Sequence, residues 1–155
     1  MNHQQDLGVI ARIIIDSNMY MVLGTADDSG QPWVSPVYFA SAGYTEFYWV
    51  SSPEARHSRN LATRPQVSIV IFDSQAPIST GQGVYMSGVA EQLTSVDLDR
   101  GIEVYSRTSL GHGGHEWTPE DVQTPALYRL YRATALEHWV LDPAGHPDHR
   151  TPVTV

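Results

Sequence analysis

Apolar residues recur along this chain with two different periods. Leu7, Ile10, Ala11 and Ile14 fall at helical spacing, so an amphipathic helix is expected within residues 1–17, broken by Asp16-Ser17-Asn18. Beyond it, short apolar runs alternate with turn residues. Residues 19–26, 33–40, 46–51, 66–73 and 83–93 each read as a strand. The cluster Asp27-Asp28-Ser29-Gly30-Gln31-Pro32 turns the chain between the first two strands, and Ser41-Ala42-Gly43-Tyr44-Thr45 turns it again, as in an antiparallel meander. On the second strand Trp33, Ser35, Val37 and Phe39 share one face, while Val34, Pro36 and Tyr38 share the other. Pro36 has no N–H to give a neighbour, so this strand lies at an edge or bulges there.

A short helix at residues 54–63 interrupts the meander. Ser95 is expected to cap a further helix that carries Leu98, Ile102 and Tyr105 on one side. Residues 110–124 contain three glycines, two histidines and a proline, which predicts a mobile loop with a brief turn at Pro119-Glu120-Asp121. Residues 126–141 are β-branched and aromatic and form one bent strand or two. Residues 142–155 are rich in proline and histidine and are expected to fray as a flexible tail. The pattern predicts a mainly β fold: a single domain over residues 1–155, built as an antiparallel barrel of about six or seven strands with helices inserted between them. So small a barrel has little room inside, so a large ligand must lie in an outer groove. A second subunit completes such a groove most easily.

Composition narrows the function. The 155 residues carry 17 acidic and 9 basic side chains, a formal charge of −8, which argues against nucleic-acid partners and anionic membrane surfaces. No apolar run is long enough to span a bilayer, and the first residues lack the basic and apolar regions of a secretion signal, so a cytoplasmic location is expected. The absence of cysteine removes disulfides, a thiol nucleophile and thiolate metal sites. His112 and His115 lie in a glycine-rich stretch with no evident third ligand, so a lid is expected there rather than a metal cage; His146 and His149 in the tail are read the same way. Ser35, Ser51 and Ser58 belong to no visible Ser-His-Asp set.

Against this acidic background one segment concentrates anion-binding chemistry. Ser51, Ser52 and Pro53 precede the helix at residues 54–63, and Arg56 and His57 follow one turn later. Hydroxyls, unpaired N–H groups, the positive end of a helix dipole and a cation thus converge, as a phosphate requires.

The order of these pieces resembles the pyridoxamine 5′-phosphate oxidase-like family of FMN-binding split barrels. The resemblance rests on Gly30-Gln31-Pro32-Trp33-Val34-Ser35-Pro36-Val37-Tyr38-Phe39, on Phe47-Tyr48-Trp49-Val50-Ser51, on Arg56-His57-Ser58-Arg59-Asn60-Leu61 before Pro65-Gln66-Val67-Ser68, and on residues 83–91. It implies a homodimer with two flavin sites at the interface. It also implies cofactor contacts from Ser35, Pro36, Val37 and Tyr38, from Tyr48, Trp49 and Ser51, and from Arg56 and His57 on the phosphate. Gln82 and Trp139 complete the expected set, and Trp49 and Trp139 are the rings expected to stack on the flavin.

There are departures. His57 replaces a more usual lysine, Ala40 stands where true pyridoxamine phosphate oxidases hold substrate phosphate with lysine, and Gly83 takes the place of a glutamine that Gln82 adjoins. Vitamin B6 oxidation is therefore not the expected activity. Arg107 is the nearby cation for an anionic substrate. The leading expectation is an FMN-dependent oxidoreductase acting on a small molecule, with a nicotinamide donor and no metal. A deazaflavin-dependent reductase on the same fold is the alternative, and a non-catalytic flavin or heme carrier or sensor is a further one, with His57 or His112 as heme ligand.

Overall fold

The computed structural model of the chain describes residues 3–142 and 149–155. Its elements are α1 (His3–Ser17), β1 (Tyr20–Ala26), β2 (Pro32–Tyr38), β3 (Ala40–Ala42), β4 (Glu46–Ser51), α2 (Arg56–Thr63), β5 (Gln66–Phe72), β6 (Gly83–Gln92), α3 (Ser95–Gly111), β7 (Arg129–Leu141) and β8 (Arg150–Val153), with a 3-10 turn at Pro119–Val122. The strands form one eight-stranded sheet in the order β2-β1-β5-β6-β7-β4-β3, and β8 pairs with β7. All pairings are antiparallel. β2 and β3 occupy opposite ends of that order, yet only Phe39 separates them in the chain. The sheet must therefore curl until its ends meet at this corner, which makes a split barrel. Pro36 sits on the terminal strand β2, opposite Val22 of β1, where the ladder asks no N–H of it on the other side.

Two cores fill the molecule. Inside the barrel, Met21, Leu23, Phe47, Trp49, Ile69, Ile71 and Val84 pack together, sealed at one end by Leu7, Ala11, Ile14 and Ile15 of α1. Outside it, α3 lays Leu98, Ile102 and Tyr105 over Tyr48, Leu93, Val122 and Leu130. Successive β4 side chains point to opposite faces, so Phe47 and Trp49 enter the first core and Tyr48 the second. Gly101 permits the close seat of α3: a Cβ there would stand 2.8 Å from the Tyr48 ring and 2.9 Å from Leu93.

Several elements differ from the sequence pattern. α2 starts at Arg56 with Ala55 in the cap position, so Pro53 precedes the helix instead of opening it. Thr94, not Ser95, occupies the cap position of α3, and it makes no side-chain cap bond. The stretch after α3 is tied down: the Ser109 hydroxyl donates to the His115 carbonyl at 2.9 Å, the Trp117 N–H donates to the Ser106 hydroxyl at 2.8 Å, and Val122 is buried. Residues 129–141 form one strand, whose register against β6 shifts between Ser87 and Gly88. Where a fraying tail was expected, residues 150–153 pair with β7 as β8; His146 lies outside the described residues.

Candidate functional site: the start of α2

Four of the expected site residues gather where α2 meets β2 and β4. The Ser52 hydroxyl accepts the Glu54 N–H at 3.1 Å, and the Ala55 N–H donates to the Ser52 carbonyl, so a tight turn leads into the helix. No side chain caps the helix at Ala55, which leaves its first N–H groups for another acceptor. Arg56 is exposed and lays its guanidinium 4.4 Å from the centre of the Trp33 ring on β2. His57, one residue on, is buried. Its Nε2 lies 2.9 Å from the Ser51 hydroxyl and its Nδ1 3.2 Å from the Ser35 hydroxyl. The imidazole thus ties the last residue of β4 to the middle of β2. Burial pushes its pKa below the usual histidine value, so the ring sits neutral between the two serines. A neutral imidazole donates once and accepts once; whichever serine accepts from it keeps its own O–H to donate elsewhere.

The rest of the inner face of α2 is also polar. Asn60 is buried and donates to the Thr25 hydroxyl of β1 at 3.0 Å. Beside Arg56, Asp27 ties the β1–β2 turn. The Ser29 hydroxyl, with the Gln31 N–H and a smaller pull from Arg56, holds its carboxyl below the ordinary range. Trp33, Thr25 and Asp27 were not picked out as site residues from sequence. The signal for Trp33 was present, since it leaves the β1–β2 turn on the same strand face as Ser35.

Other expected residues lie elsewhere. Pro36 is exposed on the edge of β2, Val37 is in the barrel core, and Tyr38 points its hydroxyl at His112 Nδ1, 2.7 Å away, within a cluster of Tyr20 and Tyr105 rings. Tyr48 and Trp49 are fully buried, so neither side chain reaches an outer groove of this chain. The Tyr48 hydroxyl donates to Glu46, and Trp49 stacks on Tyr131 at 5.6 Å with its indole N–H unpartnered. The causes differ: Trp49 points into the barrel core, and α3 covers Tyr48 on the β4 face that sequence alone left open. Trp139 stands opposite Tyr85 and Pro152 at the far end of β7 from Arg129, which pairs with Ser51. Gln82 precedes β6 near that same far end, with its buried carbonyl oxygen unpartnered. Arg107 is on the surface of α3, bonded to Glu103 at 2.9 Å in a groove that also carries Asp99 and Glu116; those carboxylates oppose an anionic substrate. Of the two histidines weighed as heme ligands, His57 spends both nitrogens on serines and His112 spends Nδ1 on Tyr38. Among the described residues, no group of three or more His, Asp or Glu side chains is placed to hold a metal ion. Nor is any described helix long and apolar enough to cross a membrane.

The family model for pyridoxamine 5′-phosphate oxidase matches residues 11–138, from within α1 to within β7, and takes in both inserted helices. The chain belongs to the pyridoxamine 5′-phosphate oxidase family. No curated protein sequence matches it significantly. Solved structures with the same fold include a heme binding protein from Mycobacterium smegmatis, 21% identical with a TM-score of 0.71, aligned over 92% of this chain. This chain spans only 55% of that protein's length. A heme storage protein from Vibrio cholerae is 20% identical with a TM-score of 0.68, covering 88% of this chain and 94% of its own. An F420 reductase is 16% identical with a TM-score of 0.61, covering 83% of this chain and 94% of its own. Members of similar fold thus serve different ligands, and identities this low carry the fold alone.

Proposed function

We propose that this member of the pyridoxamine 5′-phosphate oxidase family is an FMN-dependent oxidoreductase that works as a homodimer. The observation that carries the reading is the start of α2. An uncapped helix terminus, the exposed Arg56 guanidinium and a serine hydroxyl freed by His57 stand together in a chain whose net charge is −8. These groups fit the phosphate of FMN: Arg56 supplies full charge, the first-turn N–H groups supply directed donors, and His57 sets which serine donates. His57 acts through Ser35 and Ser51 rather than by touching the anion itself. When bound, the flavin would supply hydride or single-electron transfer at its N5, with a nicotinamide as the expected reductant.

A homodimer is the natural way to bring in the remaining residues. Gln82 and Trp139 lie far from Arg56 in one chain, so a second copy would present them to the first. The outer face of the sheet beside Trp33 offers a surface for it. There Gly24, Trp33, Val34, Val89 and Leu136 line an apolar groove of about 590 Å³. Trp33 belongs to this groove and also lies under Arg56, which would place the phosphate at the rim of the interface. A deazaflavin would make the same demand on the phosphate site, but the acidic balance of the chain disfavours its longer anionic tail. A cytoplasmic location and a small-molecule substrate complete the proposal.

The test is a flavin titration. Arg56→Ala should weaken FMN binding by about 1.5–3 kcal/mol, the worth of a charge-assisted contact, or roughly ten- to a hundredfold in Kd. Equal affinity in the variant and the parent would remove Arg56 from the site and the reading with it.

A further inference from the structure

A second cavity is built by α1, the β3–β4 turn and the end of α3. It has a volume of about 310 Å³ and is lined by Ile15, Asp16 and Asn18, by Phe39, Ser41 and Tyr44, and by Thr108 and His112. We propose that this cavity binds a small organic cation, an alkylammonium group, with the Asp16 carboxylate as its counter-charge.

Three features converge on that chemistry. The first is charge. Asp16 is in the last turn of α1, and His112 follows the last turn of α3, so two helix C-termini meet at the cavity. Neither last turn carries a basic residue, so no cation of either last turn offsets the negative ends of the dipoles, although the Ser17 hydroxyl and the Asn18 amide donate to the Ile13 and Ile14 carbonyls of α1. Arg12, one turn back on α1, acts electrostatically on Tyr44 but is not part of the cavity lining.

The second is the wall. Phe39, Tyr44 and His112 give it aromatic surfaces, the partners that an alkylammonium ion prefers over a hydrated metal ion.

The third is the way Tyr44 is held. It has a φ of 60°, in the left-handed region that a tyrosine rarely enters, directly after Gly43 at 58°. Its hydroxyl donates to Asp16 at 2.9 Å, and its carbonyl accepts from the His138 ring at 2.8 Å. Left-handed φ at both Gly43 and Tyr44 belongs to the β3–β4 hairpin turn, closed by the Thr45 N–H on the Ala42 carbonyl, so the turn and these two bonds together hold the carboxylate and the phenol in one place. Among the described residues, the Tyr44 hydroxyl is the only hydrogen-bond partner of the Asp16 carboxylate, which leaves the carboxylate open to a cation.

The probe is choline, compared with its neutral carbon isostere 3,3-dimethyl-1-butanol, and read by amide chemical shifts of residues 16, 41–45 and 108–112 at matched ionic strength. Choline should give saturable shifts in these amides, and the neutral isostere should bind at least tenfold more weakly. Asp16→Asn keeps an acceptor for Tyr44 while removing the charge, and it should weaken choline at least tenfold. Tyr44→Phe, which keeps the aromatic wall and frees the carboxylate, should still bind. Absence of saturable shifts in the parent would overturn the proposal. So would equal binding of the two probes, or equal binding by Asp16→Asn. FMN affinity in Asp16→Asn should be unchanged, so that this site and the α2 site are judged separately.

Discussion

A buried histidine between two serines sets a sign for the response to acid. His57 and His138 are both buried, and burial is the main cause that holds the pKa of each below the ordinary histidine value. The folded state therefore holds these rings neutral, while the unfolded chain protonates them near their ordinary value. Their contribution to stability is present above about pH 6.5 and is lost as pH falls through that value towards the lower folded-state pKa. Urea midpoints should accordingly fall between about pH 7.5 and pH 5, mostly above the range where ordinary carboxylates titrate. Replacing both rings by glutamine should flatten that decline; an equally steep decline without them would place its origin elsewhere. At this scale the sequence was half legible. A helix start flanked by serines and followed by Arg56 is visible as a pattern. The inward direction of His57 is not, because His57, Ser58, Asn60 and Leu61 form a buried face that is largely polar. Hydropathy marks a polar face as solvent-facing. Only the serine and threonine partners across β1, β2 and β4 reveal that His57 and Asn60 are satisfied internally.

Among the elements, the strands were legible because a half-buried strand alternates, as β5 and β6 do. β4 broke the rule in a readable way. Phe47-Tyr48-Trp49-Val50 is a continuous apolar run, the mark of a strand covered on both faces, and α3 is the second cover. Reading Tyr48 as a ligand contact missed that layer, and reading Trp49 as one missed that its side of β4 faces the barrel core. β8 was hidden by Pro152, yet a strand whose only partner is β7 can hold a proline on its open side. One close approach of two backbones is at the β6–β7 register shift. A Cβ added at Gly88 would stand 2.2 Å from the Thr134 carbonyl oxygen, which is backbone and cannot swing away. Gly88→Ala should therefore cost about 1–3 kcal/mol by overpacking and lower the urea midpoint with the m-value unchanged. A midpoint within error of the parent would mean that the two strands separate at little cost.

For the molecule as a whole, the curled sheet leaves one face that water should not keep. Val34, Val89 and Leu136 are 65%, 40% and 67% exposed around the groove beside Trp33. A charge placed there should separate two copies without disturbing either core. Leu136→Glu is expected to sediment as a monomer and to bind FMN at least tenfold more weakly than the parent, although Arg56 is untouched. A dimer that survives this change would move the interface to another face.

The packing of α1 has a further consequence for the order of events during synthesis. Gly8 lies so close to the Thr154 carbonyl that a Cβ there would approach to 2.5 Å, and Gln4 donates to the Pro152 carbonyl at 2.6 Å. The barrel's plug is thus seated in part by residues made almost a whole chain later. While the ribosome is still at work, Leu7, Ala11, Ile14 and Ile15 have no finished socket to enter. This early helix must wait, apolar stripe exposed, until the closing strand emerges.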